Sequence, residues 1–102
     1  MKAQPIEIEQ GMVQCPNCGG GHLHQTEVMV HQRYGEDSNG VETRVSQDNG
    51  IARRQLAADD PRFEGRRDDV AVRLTCEQCL HHSRLIVMQH KGQTHVYMRL
   101  EE

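Results

Sequence analysis

The chain has 102 residues, enough for one domain, and only 35% of them are hydrophobic, with three aromatics and no tryptophan. So little apolar material builds a small core, which calls for an additional staple. Twelve lysines and arginines against fifteen aspartates and glutamates leave a formal charge of −3, which gives no support to a generic polyanion binder, and no apolar run approaches the length of a membrane span or a secretory leader.

In chain order, Ile6-Glu7-Ile8-Glu9 alternates and predicts a short edge strand. Cys15-Pro16-Asn17-Cys18 follows, with Gly19-Gly20-Gly21 directly behind it. From His22 to Tyr34 the even positions include Thr26, Val28, Val30 and Tyr34 and the odd ones Gln25, Glu27, His31 and Arg33, the alternation of a strand with one half-buried face. Gly35 to Gly40 is a turn cluster, and Val41, Thr43 and Val45 alternate beyond it with Glu42, Arg44 and Ser46, so the two segments form a hairpin. Between Gln47 and Asp69 the pattern fails. Ile51 to Ala58 is expected to make about two turns of helix, stopped by Asp59-Asp60-Pro61, and the charged stretch to Asp69 is read as part of a mobile, partner-binding insert over residues 48–69. Val70, Val72 and Leu74 then alternate with Ala71, Arg73 and Thr75 in a strand that delivers Cys76. Arg84 to His90 and Thr94 to Leu100 flank Lys91-Gly92 and predict a closing hairpin.

The most informative residues are the four cysteines, paired as Cys15/Cys18 and Cys76/Cys79 with the same two-residue gap. Without a secretory signal the chain is expected in the reducing cytoplasm, where paired C-x-x-C units read as metal ligands or redox centres rather than structural disulfides. Zinc suits four thiolates because it is borderline-soft and tetrahedral, so one structural zinc ion is expected. The 57 residues between the pairs are no objection. Loop closure grows only with the logarithm of length, whereas structural zinc supplies about 10 to 16 kcal/mol in small peptides. A disulfide oxidoreductase is the competing reading. That chemistry wants the first sulfur at a helix N-terminus, and here three glycines and a strand pattern follow.

Two C-x-x-C knuckles on β-hairpins around one metal resemble the zinc-ribbon class, the first knuckle through Cys15-Pro16-Asn17-Cys18-Gly19-Gly20. The resemblance covers the neighbourhood of the two pairs and implies an all-β fold of antiparallel hairpins over a single domain, 1–102. The layout as a whole is also similar to small bacterial and phage zinc-ribbon proteins. One departure is that Cys79 is followed by Leu80-His81-His82, where a ribbon knuckle often has glycine. Rubredoxins share the paired knuckles but are rich in aromatics, which this chain lacks.

His22 and His24 on the predicted strand and His81 and His82 beside the second knuckle are candidates to cover the knuckles and hydrogen-bond toward the sulfurs. Four cysteines close the coordination shell, which disfavours catalytic zinc, and neither a Ser-His-Asp order nor a phosphate loop offers another enzymatic chemistry. Arg53, Arg54, Arg66 and Arg67 are the candidate partner-binding residues. Residues 53–73 hold six arginines but also five carboxylates. Four thiolates around a divalent ion contribute −2, taking the chain from −3 to about −5. The sequence therefore reads as a non-enzymatic adaptor or regulator with a protein partner. A nucleic-acid-associated ribbon is the alternative, a thiol redox protein the third reading, and no membrane association is expected.

Overall fold

The computed structural model describes residues 3–4, 8–9 and 11–101. The described chain is all-β: nine strands and no helix, with β1 (Ala3–Gln4), β2 (Ile8–Glu9), β3 (Met12–Val13), β4 (Leu23–Arg33), β5 (Gly40–Ser46), β6 (Gly50–Leu56), β7 (Asp69–Cys76), β8 (His82–His90) and β9 (Gln93–Leu100). Seven of them form one antiparallel sheet in the order β1-β9-β8-β7-β4-β5-β6, and β2 and β3 pair separately. Among the described residues no helix is long and apolar enough to cross a membrane.

The hairpins lie where turn chemistry put them. The bend between β4 and β5 is held by Tyr34 N–H donating to the Asn39 carbonyl at 2.9 Å and by Ser38 Oγ accepting from Gly35 N–H at 2.6 Å. Lys91 and Gly92 both have positive φ, 50° and 78°, the pairing that lets a two-residue turn follow the right-handed twist of β8 and β9. Of the N-terminal alternation, Ile8–Glu9 pairs with Met12–Val13, while Ile6 and Glu7 lie outside the described residues.

The helix expected over Ile51–Ala58 is not formed. Gly50–Leu56 is strand β6, in register with β5 from Ser46↔Gly50 to Gly40↔Leu56. Six of its seven residues are exposed, so an outer strand with both faces in solvent carries no two-residue hydrophobic alternation to read. From β6 the chain crosses one face of the sheet over residues 57–68 and enters β7 on the far side of β4. That crossing covers the face and makes it the core. Met29, Ala71 and Ile86 are fully buried there, with Met88 and Tyr97 against them, and Phe63 from the crossing segment is buried at 9% exposure.

The buried residues of β4 are thus the odd-numbered Met29 and His31, and the valine-bearing even positions point the other way. Arg33, on the covered face, ties the crossing down. Its guanidinium donates to the carbonyls of Ser38 (2.7 Å), Ala58 (3.0 Å) and Gly65 (2.8 Å) and stacks 3.8 Å over the Phe63 ring. Beneath it, His31 is 1% exposed and lies between two buried carboxylates, with Nδ1 2.6 Å from Asp69 and Nε2 2.8 Å from Glu42. Burial opposes charging the imidazole, but the hydrogen bonds to Asp69 and then Glu42 outweigh it and raise the pKa above its usual value.

Cross-strand register arranges the opposite face in two rows. One runs Ile51, Val45, Val28, Val72, Leu85, Met98, and the next Arg53, Thr43, Val30, Val70, Val87, Val96. A bulge between Gln25 and Glu27 reverses β4, so that Leu23 and Gln25 join this second face near the cysteines, where Met12 and Val13 line a groove with Leu74 and Leu85.

Candidate metal centre

Each cysteine pair sits in a tight turn, and the two turns repeat one hydrogen-bond pattern. In the first, Cys15 N–H donates to the Gly20 carbonyl and Gly19 N–H to the Cys15 carbonyl, both at 2.8 Å. In the second, Cys76 N–H donates to the His81 carbonyl and Leu80 N–H to the Cys76 carbonyl, both at 3.0 Å. Leu80 occupies the place of Gly19, and it adopts the same left-handed backbone, φ 63° against 78°. The missing glycine of the second knuckle is therefore a strained substitution within an unchanged turn. The second turn is delivered by β7, as its alternation predicted, and Glu77 N–H donates to the His22 carbonyl at 3.0 Å, stitching it to the start of β4.

The two turns bring all four sulfurs within 4.8 Å of one another. Cys15 Sγ is 3.7 Å from Cys79 Sγ and Cys18 Sγ 3.5 Å from Cys76 Sγ, and all four thiols are free. A disulfide needs about 2.05 Å. Zinc–sulfur bonds of about 2.3 Å in a tetrahedron place sulfurs about 3.8 Å apart, so the donor set has the dimensions of a four-thiolate shell. Backbone amides already point at the sulfurs, Asn17 N–H at Cys15 and Gly20 N–H at Cys18, each at 3.4 Å. Cys15 and Cys76 are buried, whereas Cys18 is exposed.

Proton affinities divide the cluster. Hydrogen bonds from the Asn17 side chain and the His81 backbone N–H bring the Cys79 thiol down to about 5. The Gly20 N–H lowers Cys18, but the neighbouring Cys76 thiol opposes it, and with burial and the other two cysteines pushes Cys18 up to about 12. Burial raises Cys15. Closely spaced sulfurs oppose one another's ionisation, and a divalent ion bound by such a set would displace the thiol protons.

Of the four candidate histidines, His81 bridges the knuckles. Its Nδ1 lies 3.2 Å from both the Asn17 amide nitrogen and the Cys79 carbonyl oxygen, accepting from the first when deprotonated and donating to the second when protonated. His24 pairs with Glu77 at 3.3 Å and His82 with Thr75 Oγ1 at 2.9 Å, while the His22 side chain is exposed. Arg66 is engaged by Asp37 at 2.7 Å and Glu36 at 3.3 Å, and Arg67 by Glu36 at 3.4 Å. Arg53 and Arg54 lie exposed on β6 and make no ion pair among the described residues. Together with Arg44 and Arg62 they border a cavity that also has Glu42 in its wall.

The Glu42–His31–Asp69 cluster had no signal in the sequence, because its members come from three strands and only the sheet register sets them side by side. The chain matches no protein-family model, no curated protein and no solved structure.

Proposed function

We propose that the chain is a non-enzymatic binding module built around one structural zinc ion held by Cys15, Cys18, Cys76 and Cys79, and that its partner is a protein. The reading rests on the convergence of four free thiols at tetrahedral spacing, from two turns of the same hydrogen-bond pattern. Bound zinc supplies a cross-link between segments of chain 58 residues apart, counted from Cys18 to Cys76. Four thiolates leave no coordination position for water or substrate, which supports a structural ion and a protein without zinc chemistry of its own. The protein partner is supported by the exposed outer strand β6, which offers unpaired backbone groups for an added strand. Engagement of Arg66 and Arg67 by carboxylates weighs against phosphate binding.

The cavity bordered by Arg44, Arg53, Arg54 and Arg62 favours a second reading, a nucleic-acid-associated ribbon. Native mass spectrometry tests the first part, with one zinc per chain expected and either no tightly held metal or two ions overturning it. A gel shift on mixed-sequence DNA and RNA at physiological salt separates the two partner classes. The adaptor reading expects no shift, and a salt-sensitive shift abolished by Arg53→Ala with Arg54→Ala promotes the second.

A further inference from the structure

Strand β6 ends the sheet on one side, and its outer edge is long and regular. It pairs with β5 from Ser46↔Gly50 to Gly40↔Leu56 without a bulge or a proline, and six of its seven residues are exposed. Among the described residues no strand pairs with its outer side. Sheet edges are ordinarily blunted by short length, proline, a bulge or charge, and here charge alone is present. That charge has one sign. Arg53 and Arg54 are the charged residues of the strand, alternation sends them to opposite faces, and neither makes an ion pair among the described residues. On the covered-face side Arg54 lines a cavity of about 280 Å3 with Arg44 and Arg62. The Glu42 carboxylate in its wall is already held by His31 at 2.8 Å and Arg44 at 3.5 Å. The cavity lies below the usual size of small-molecule sites, about 300–1,000 Å3, and suits one acidic side chain.

On the reading that the partner is a protein, we infer that it presents an extended acidic segment, which adds to the sheet along β6 and sets two consecutive carboxylates opposite Arg53 and Arg54. Backbone hydrogen bonds along a strand edge supply affinity with little regard to sequence, so the side chains on the two faces make the choice. Consecutive strand residues face opposite ways, and an adjacent acidic pair therefore meets both arginines, one on each face. The carboxylate on the covered-face side enters the cavity of Arg44, Arg54 and Arg62. On the other face Ile51, 72% exposed and two places from Arg53, offers a seat for an aliphatic residue two places from the second acid. A second copy does not fit this edge. Pairing β6 about its own centre sets Arg53 and Arg54 against the same residues, and like charges directly opposite destabilise. A run of phosphates fits poorly too, because Glu27 stands 3.3 Å from Arg44 and Asp60 3.9 Å from Arg62.

The test uses the zinc-loaded full chain and three blocked eight-residue peptides of threonine and valine, whose two central residues are glutamates, glutamines or lysines. Amide resonance shifts and hydrogen exchange read the result. The glutamate peptide is expected to give saturable shifts and slower exchange within residues 50–56. It should bind about tenfold more tightly than the glutamine peptide, the size two cross-strand ion pairs supply, and lose that advantage in high salt. Arg53→Glu with Arg54→Glu should keep the β-sheet circular dichroism spectrum and reverse the preference to the lysine peptide. If that variant disturbs folding, Arg53→Gln with Arg54→Gln should bind the glutamate and glutamine peptides equally. No binding of the glutamate peptide at millimolar concentration overturns the inference, as does binding indifferent to peptide charge or to the arginine variants. Shifts that map away from residues 50–56 overturn the edge and leave the protein-partner reading standing. A mixed-sequence oligonucleotide that protects residues 50–56 where the glutamate peptide does not overturns both.

Discussion

Replacing His31 with leucine removes the imidazole held between the buried carboxylates of Asp69 and Glu42 in the covered face. The side chains of His31, Glu42 and Asp69 are 1, 5 and 0% exposed, so the substitution leaves two buried acids facing an aliphatic group of similar bulk. Breaking a buried ion pair costs about 3–5 kcal/mol through the uncompensated charge. Each acid keeps one partner here, Glu42 the Arg44 guanidinium at 3.5 Å and Asp69 the Glu64 N–H at 3.0 Å, which places the expected loss at the lower end, about 3 kcal/mol. Urea unfolding of the zinc-loaded protein, followed by circular dichroism, measures it. The pH dependence has a definite sign. His31 is raised in the folded protein, so the stability from its charging is complete below its unfolded value near 6.5 and is lost as pH rises through the higher folded value. The gap between parent and variant should therefore narrow as pH rises above 6.5 and through the higher folded value. Glu42 is shifted down, burial being outweighed by His31 and Arg44, so its contribution is present above its unfolded value near 4.5 and is lost as pH falls through the lower folded one. Adding Glu42→Gln to His31→Leu should recover part of the loss, because the pair shares one interaction. A His31→Leu variant within about 0.5 kcal/mol of the parent, with a difference that does not change as pH rises above 6.5, would refute the idea that the cluster is ionised and matters for stability.

Leu80→Gly relieves a left-handed leucine that is 72% exposed and should stabilise by up to about 1 kcal/mol, less the freedom glycine gains when unfolded, whereas Leu80→Val should destabilise; urea midpoints that reverse this order refute the strain. Phe63→Ala empties the seat beneath the Arg33 guanidinium and should cost about 3 kcal/mol, with faster hydrogen exchange across residues 57–68; unchanged stability would make that crossing a loose insert after all. Cys76→Ser, or a strong chelator, should unfold much of the sheet, and a retained β-sheet spectrum after complete metal removal would show that the apolar core suffices without the ion. The zinc-loaded protein should not reduce insulin, and activity that disappears with Cys15→Ser would favour the redox reading.

The long central hairpins and both knuckles were legible because their signals are local. Alternation over Leu23–Arg33, Gly40–Ser46 and the two closing strands needs nothing beyond neighbouring residues, and a repeated C-x-x-C spacing implies four sulfurs around one point whatever lies between. Strand β6 was not legible. Solvent on both faces removed its alternation, and Arg53 and Arg54 suit an exposed helix as well as an exposed edge. Nor was the pairing of Ala3–Gln4 with β9, since two residues carry no period.

What the sequence by itself determined is that strands dominate, where most of them turn, and which four side chains meet, since turn residues and ligand spacing act within a few positions. Which face of the sheet becomes the core was decided only by tertiary structure. The valines mark one face as apolar, yet the crossing of residues 57–68 passes over the other and seats Phe63 and Arg33 there. Burial of His31, Glu42 and Asp69, and exposure of Val70 and Val87, follow from that single path of the chain. A strand's period separates its two faces but cannot say what will cover either of them.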